Sequence, residues 1–279
     1  MRNVDSRPSP GFRGHGRSVL GFGLIASAVM FYGVSESSPS VAAAPTRTAV
    51  ALAPVSADAT GSFSGKVLLD GKAPELAPLA RADQESLKDK EVCGMADVPD
   101  ESLQVGEDNG IANVFVFLRR APRQYKSETP DEPVVLDQKG CVFLPHTALI
   151  RAGQKVLIKS SDPIQHNVHT FPDRNQSTNL LIKPNDQDGI ELVYRRPESG
   201  PVQVKCDIHS WMSSWHLVLD HPFMAVTDKD GNFSVDDLPA GKYQFRVWHE
   251  RGGLLEKSLK VTIKGDDKPV ALKYSADRF

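Results

Sequence analysis

From residue 61 onward the chain alternates apolar and polar positions in short runs separated by turn residues, the period-two signature of half-buried strands. Ser62 to Leu69 alternates and stops at the turn Asp70-Gly71, and Ala112 to Leu118 forms a second strand. The polar stretch between them, Glu75 to Glu107, reads as irregular. From Pro133 the pattern predicts strands at Val134–Leu136, Cys141–Leu144, Lys155–Lys159, Asn167–Phe171, Ile190–Tyr194, Val202–Cys206 and Trp215–Leu219. Seven short strands with intervening turns suggest a Greek-key sandwich. A last block supplies Phe223–Thr227, Phe233–Val235, Tyr243–Trp248, Ser258–Ile263 and Val270–Tyr274, with turns at Asp230-Gly231 and Pro239-Ala240-Gly241. The expected class is all-β, without long helices.

The last block, residues 223–279, is short for an independent core. The strands near 63–69 and 112–118 are not needed to close the middle sandwich and can complete the last one. We therefore expect residues 61–125 and 223–279 to form one β-sandwich interrupted by a second, residues 133–221. In the competing linear arrangement the early strands extend the middle sandwich. Pairing of Val114–Phe117 with strands beyond residue 222 distinguishes the two.

The first 44 residues belong to neither unit. Arg2, Arg7, Arg13 and Arg17 precede the apolar run Val19–Val34, and a Ser/Ala/Pro stretch follows. This is the layout of a secretory signal, or of an N-terminal membrane anchor if it stays uncleaved. Either way the rest of the chain lies outside the cytoplasm, in the periplasm or at the cell surface, and residues 45–60 read as a linker. Composition is that of a globular protein, 40% hydrophobic and 24% charged. A net charge of −2 offers no basic field for nucleic acid. Three cysteines, Cys93, Cys141 and Cys206, leave one thiol over after any single pairing.

The segment Cys206-Asp207-Ile208-His209-Ser210-Trp211-Met212 places a thiolate, an imidazole and a thioether at successive spacings of three. A strand sends residues three apart to opposite faces, so these must sit on a loop curling round one point. A fourth donor has to come from elsewhere, and His166 and His169 both offer one. Two imidazoles, a thiolate and a weak thioether form the donor set of a blue-copper centre, too soft for magnesium or calcium; zinc would bind without redox use.

With Ala152-Gly153-Gln154-Lys155-Val156, the His166-Asn167 pair and the Cys-x-x-His-x-x-Met loop, residues 133–221 resemble a cupredoxin of the amicyanin and plastocyanin group. The resemblance implies one mononuclear type 1 copper site on His166, Cys206, His209 and Met212, with His169 outside it. It gives Asn167 the role of holding the two ligand segments together and Trp211 that of a shielding neighbour. Ser210 stands where the amicyanin loop has proline. With Cys206 given to copper, Cys93 and Cys141 become candidates for a disulfide. Thr227 to Phe233 and Leu238 to Tyr243 resemble the carboxypeptidase regulatory-like and transthyretin-like sandwiches, some of which bind carbohydrate.

The remaining histidines read more simply. His146 and His169 lack a second cluster, and His216, His221 and His249 sit among aromatic residues as packing. Asp228-Lys229-Asp230-Gly231 fits a hairpin turn, since a calcium loop needs its glycine at the sixth position. No Gly-x-Ser-x-Gly, His-Glu-x-x-His or phosphate loop occurs, so an enzyme is not expected. The sequence thus points to an exported one-electron carrier working with a redox protein partner. The alternative is a carbohydrate- or surface-binding sandwich protein whose copper is structural or stored.

Overall fold

The computed structural model describes residues 60–122, 125 and 128–279; the N-terminal arginines and apolar run, and all but the end of the linker, lie outside them. The described chain is nearly all-β, with strands β1 (Thr60–Asp70), β2 (Phe115–Leu118), β3 (Val134–Gln138), β4 (Phe143–Leu144), β5 (Thr147–Arg151), β6 (Lys155–Ile158), β7 (His166–Phe171) and β8 (Asn179–Ile182). They continue as β9 (Ile190–Val193), β10 (Val202–Lys205), β11 (Ser213–Leu219), β12 (Met224–Val226), β13 (Asn232–Pro239), β14 (Gly241–His249), β15 (Gly253–Ile263) and β16 (Val270–Ser275). One helical turn, α1 (Lys90–Cys93), falls in the stretch expected to be irregular. No helix among the described residues is long and apolar enough to cross a membrane.

Strands β3 to β11 make a sandwich of two sheets, ordered β5-β11-β10-β7-β8 and β4-β3-β6-β9. The outer sheets are built from both ends of the chain: β1 lies between β13 and β16, and β2 lies between β12 and β14, which continues to β15. Phe115, Val116 and Phe117 pair with Val226, Ala225 and Met224, and Phe115–Leu118 pair with Trp248–Phe245. The early strands therefore hydrogen-bond to strands beyond residue 222, with the middle sandwich between them in sequence.

Each sandwich has its own core, and β2 explains how they meet. All four of its residues are buried, as expected for a strand covered on both faces. Val116 and Leu118 point into the outer core with Phe63, Val67, Phe233 and Phe245. Phe115 and Phe117 point the other way and pack on Leu217 and Leu219 of β11, flanked by Trp215 and Trp248. Burying side chains of this size stabilises the junction by about 2 kcal/mol each.

Two strands escaped the periodicity. In β5 four of five residues are buried, because it pairs in parallel with β11 at that junction, and double-sided burial erases alternation. The edge strand β8, Asn179-Leu180-Leu181-Ile182, leaves Leu181 exposed and buries only Ile182. The Asp230-Gly231 turn is a hairpin turn in which Asp228 Oδ1 accepts from the Asp230 and Asn232 amides at 2.9 Å. Gly231 is required there: its φ is 78°, and a Cβ would stand 2.5 Å from the Val67 carbonyl oxygen.

Candidate metal centre

The hairpin β10–β11 is antiparallel with Lys205 opposite Ser213, so residues 206–212 form its connecting loop. That loop curls on itself: Met212 N donates to His209 O at 2.9 Å, Cys206 N to Met212 O at 3.3 Å, and His209 N to Cys206 Sγ at 3.4 Å. Strand β7 lies beside β10 with His169 opposite Lys205. Alternation then sends His166, Val168 and Thr170 inward, all fully buried, while the half-exposed His169 turns to Asp207 at 3.1 Å.

His166, Cys206 and His209 offer ligand atoms that all lie within 4.8 Å of one another. The two Nδ1 atoms are 3.0 Å apart, and His209 Nδ1 is 3.8 Å from Cys206 Sγ. Met212 is buried on the same loop. A second grouping, Cys141, Asp162 and His166, lacks a thiolate because Cys141 is bonded to Cys93 across 48 residues. Cys206 is the free cysteine and is buried.

The outward nitrogens are committed elsewhere. His166 Nε2 meets Asp162 Oδ2 at 2.9 Å, and His209 Nε2 meets Asp89 Oδ2 at 2.9 Å. Such carboxylate partners fix the ring tautomer, put the proton on Nε2 and leave Nδ1 as a lone-pair donor. Asp162 also accepts from the Gly140 and Cys141 amides. Burial would raise its carboxyl pKa, but the His166 bond and these amides hold it below the usual value.

Asn167 ties the two ligand segments together. Its Oδ1 accepts from Asp207 N at 2.8 Å and Ile208 N at 3.2 Å, and lies 3.3 Å from Cys206 Sγ. Its Nδ2 donates to Asn179 and Asp207. Trp211 Nε1 donates to Cys141 O at 3.0 Å, and its ring lies 5.2 Å from that of His209.

Burial opposes ionisation of Cys206, yet hydrogen bonds with His166 and His209 override it and bring its pKa down to about 6. Burial likewise disfavours the charged form of His166, and the bonds to Asp162 and Cys206 raise it to about 9. The thiolate of Cys206 and the charged form of His166 thus favour one another. The donor set of two imidazoles and a thiolate, with the Met212 thioether on the same loop, fits a copper ion.

Sequence reasoning missed Asp162 and Asp89. Asp162 stands four residues before His166, a spacing that could have signalled it. Asp89 is 120 residues from its partner, and no local pattern could have found it. The other histidines lie apart from the centre. His146 bonds Glu250 and faces Glu101 at 3.7 Å. Buried His216 bonds Tyr194 OH at 3.1 Å, and burial pushes it down to about 4.

No family model matches the chain, nor does any curated protein. Solved structures similar to part of it include a mutant of amicyanin in the Cu(I) form, 18% identical over 33% of this chain and 86% of that one, with a TM-score of 0.28. The purple cupredoxin from Nitrosopumilus maritimus is 16% identical over 30% and 98%, with a TM-score of 0.26. The copper-containing nitrite reductase from Thermus scotoductus SA-01 is 19% identical over 35% and 24%, also at 0.26.

Proposed function

We propose that this chain is an exported copper protein that takes one electron from a redox protein and passes it to another, without turning over a substrate. The observation that carries the proposal is the convergence of His166 Nδ1, His209 Nδ1 and Cys206 Sγ in a buried cluster. Met212 completes the set, and bound copper would supply a Cu(II)/Cu(I) couple.

The chain's own groups suit that task. A thiol already held near pKa 6 binds a metal as thiolate with little proton cost of its own, and the proton that leaves on binding is the one on His166. Asp162 and Asp89 orient the imidazoles, and Asn167 fixes the loop, so the donors need not rearrange between oxidation states. All four proposed ligands are buried, which would shield a bound metal from bulk water. The Cys93–Cys141 disulfide supports an oxidising compartment.

The test is the visible spectrum of the chain with Cu(II), alongside Cys206→Ser. An intense copper–thiolate charge-transfer band that disappears in the variant is expected. Its absence would overturn the proposal and shift the function to the outer sandwich, as a carbohydrate- or surface-binding module with copper structural or stored.

A further inference from the structure

Away from the metal centre, a cavity of about 520 Å³ opens where the two sandwiches meet, within the range of small-molecule sites. Its walls carry Arg119 and Arg120 from the end of β2, Arg246 from β14, and Arg174 from the loop after β7. No ion pair engages any of these four guanidinium groups among the described residues. Arg246 Nη1 donates to Ser199 O at 2.8 Å, which aims the side chain, and its buried Nε has no partner.

The cavity's acidic residues do not balance this charge. Glu198 is consumed by the amides of Asp173, Arg174 and Asn175 and the side chain of Asn175, all within 3.1 Å. Asp220 remains. His221 also lines the wall; it is 1% exposed, and its buried Nδ1 has no hydrogen-bond partner. Leaving such donors and acceptors unmatched costs about 1–3 kcal/mol each unless something fills the space. Four guanidinium groups without an ion pair among the described residues therefore face one cavity.

We propose that this cavity binds a small molecule through a phosphate or sulfate ester group. Planar guanidinium forks match the tetrahedral oxyanion in shape and charge. Side chains from both sandwiches would grip it, so the ligand would also bridge the junction. This assignment is independent of copper, since none of the cavity's residues is a proposed ligand.

The test is calorimetric titration of the full copper-loaded chain with glucose 6-phosphate, glucose 6-sulfate and unmodified glucose. Saturable binding of either ester, and none of glucose, is expected, and which ester binds identifies the headgroup. The double variant Arg119→Gln/Arg174→Gln changes two exposed side chains and should weaken binding about tenfold or more. Arg195→Gln, exposed and outside the cavity, should stay within about twofold of the parent. No binding of either ester at about 10 mM, equal binding of glucose, or an unchanged affinity in the double variant would overturn the proposal.

Discussion

Replacing Asp89 by asparagine probes the metal centre without disturbing its ligands. Asp89 occupies a left-handed backbone conformation, φ 52°, which asparagine tolerates and alanine does not. Its carboxylate has little other work: it bonds His209 Nε2 at 2.9 Å and stands 3.5 Å from the exposed Lys88 ammonium. Asp162 would be a poorer choice, because removing it also orphans the Gly140 and Cys141 amides. With metal on Nδ1, the His209 ring donates Nε2–H to a charged acceptor, a bond worth about 1.5–3 kcal/mol against about 0.5–1.5 for a neutral one. The difference, about 1 kcal/mol, should weaken Cu(II) binding roughly fivefold in Asp89→Asn. Asp89→Ala removes the acceptor altogether and should approach the roughly 10–100-fold loss typical of such partners. Chelator competition at neutral pH reads the affinity, and denaturation of the metal-free variants separates metal binding from fold stability. Parent-like affinity in both variants would refute the idea that Asp89 supports the ligand.

Three other expectations follow from the same contacts. Loop closure across 48 residues assigns the Cys93–Cys141 disulfide about 4 kcal/mol; a double alanine variant should lose most of it in urea unfolding, and a loss below about 1 kcal/mol would contradict the loop-closure account. His146, raised above 6.5 by Glu250 and Glu101 against the opposing effect of burial, contributes stability that is complete below the unfolded value and fades as pH rises through the folded one. Glu250→Gln should therefore destabilise the protein more at pH about 6 than at pH about 9, and a pH-independent difference would deny the charge on His146. Asn167→Ala strands the Asp207 and Ile208 amides and should cost about 2–4 kcal/mol in the metal-free protein; a change within about 0.5 kcal/mol would mean that the loop holds itself.

The readable parts of the sequence were those where one physical signal dominates. Alternation marked β1, β10 and β14 because each has one wet face, and the three-residue spacing from Cys206 to Met212 could only be a loop. Signals failed where burial is two-sided, as in β5, or where an edge strand such as β8 carries little burial at all. The stretch from Glu75 to Glu107 looked featureless, yet it delivers Asp89 to His209 and Cys93 to Cys141. Those contacts depend on chain sections far apart in sequence. The arginine cavity was equally hidden, because Arg119, Arg174 and Arg246 come from three distant segments.

The strand β2, walled in on both sides, sets an order of assembly. As the chain emerges N-terminus first, Phe115–Leu118 is exposed about a hundred residues before its partners β12 and β14 exist, so its closure must wait on a long loop. The middle sandwich, contiguous in sequence, can fold meanwhile and draw the partners together. Until then the waiting strand is a short, uncharged, apolar segment of the kind that recruits foreign strands. Cutting the chain after residue 222 would therefore leave a middle unit able to fold, attached to an edge with nothing to cover it.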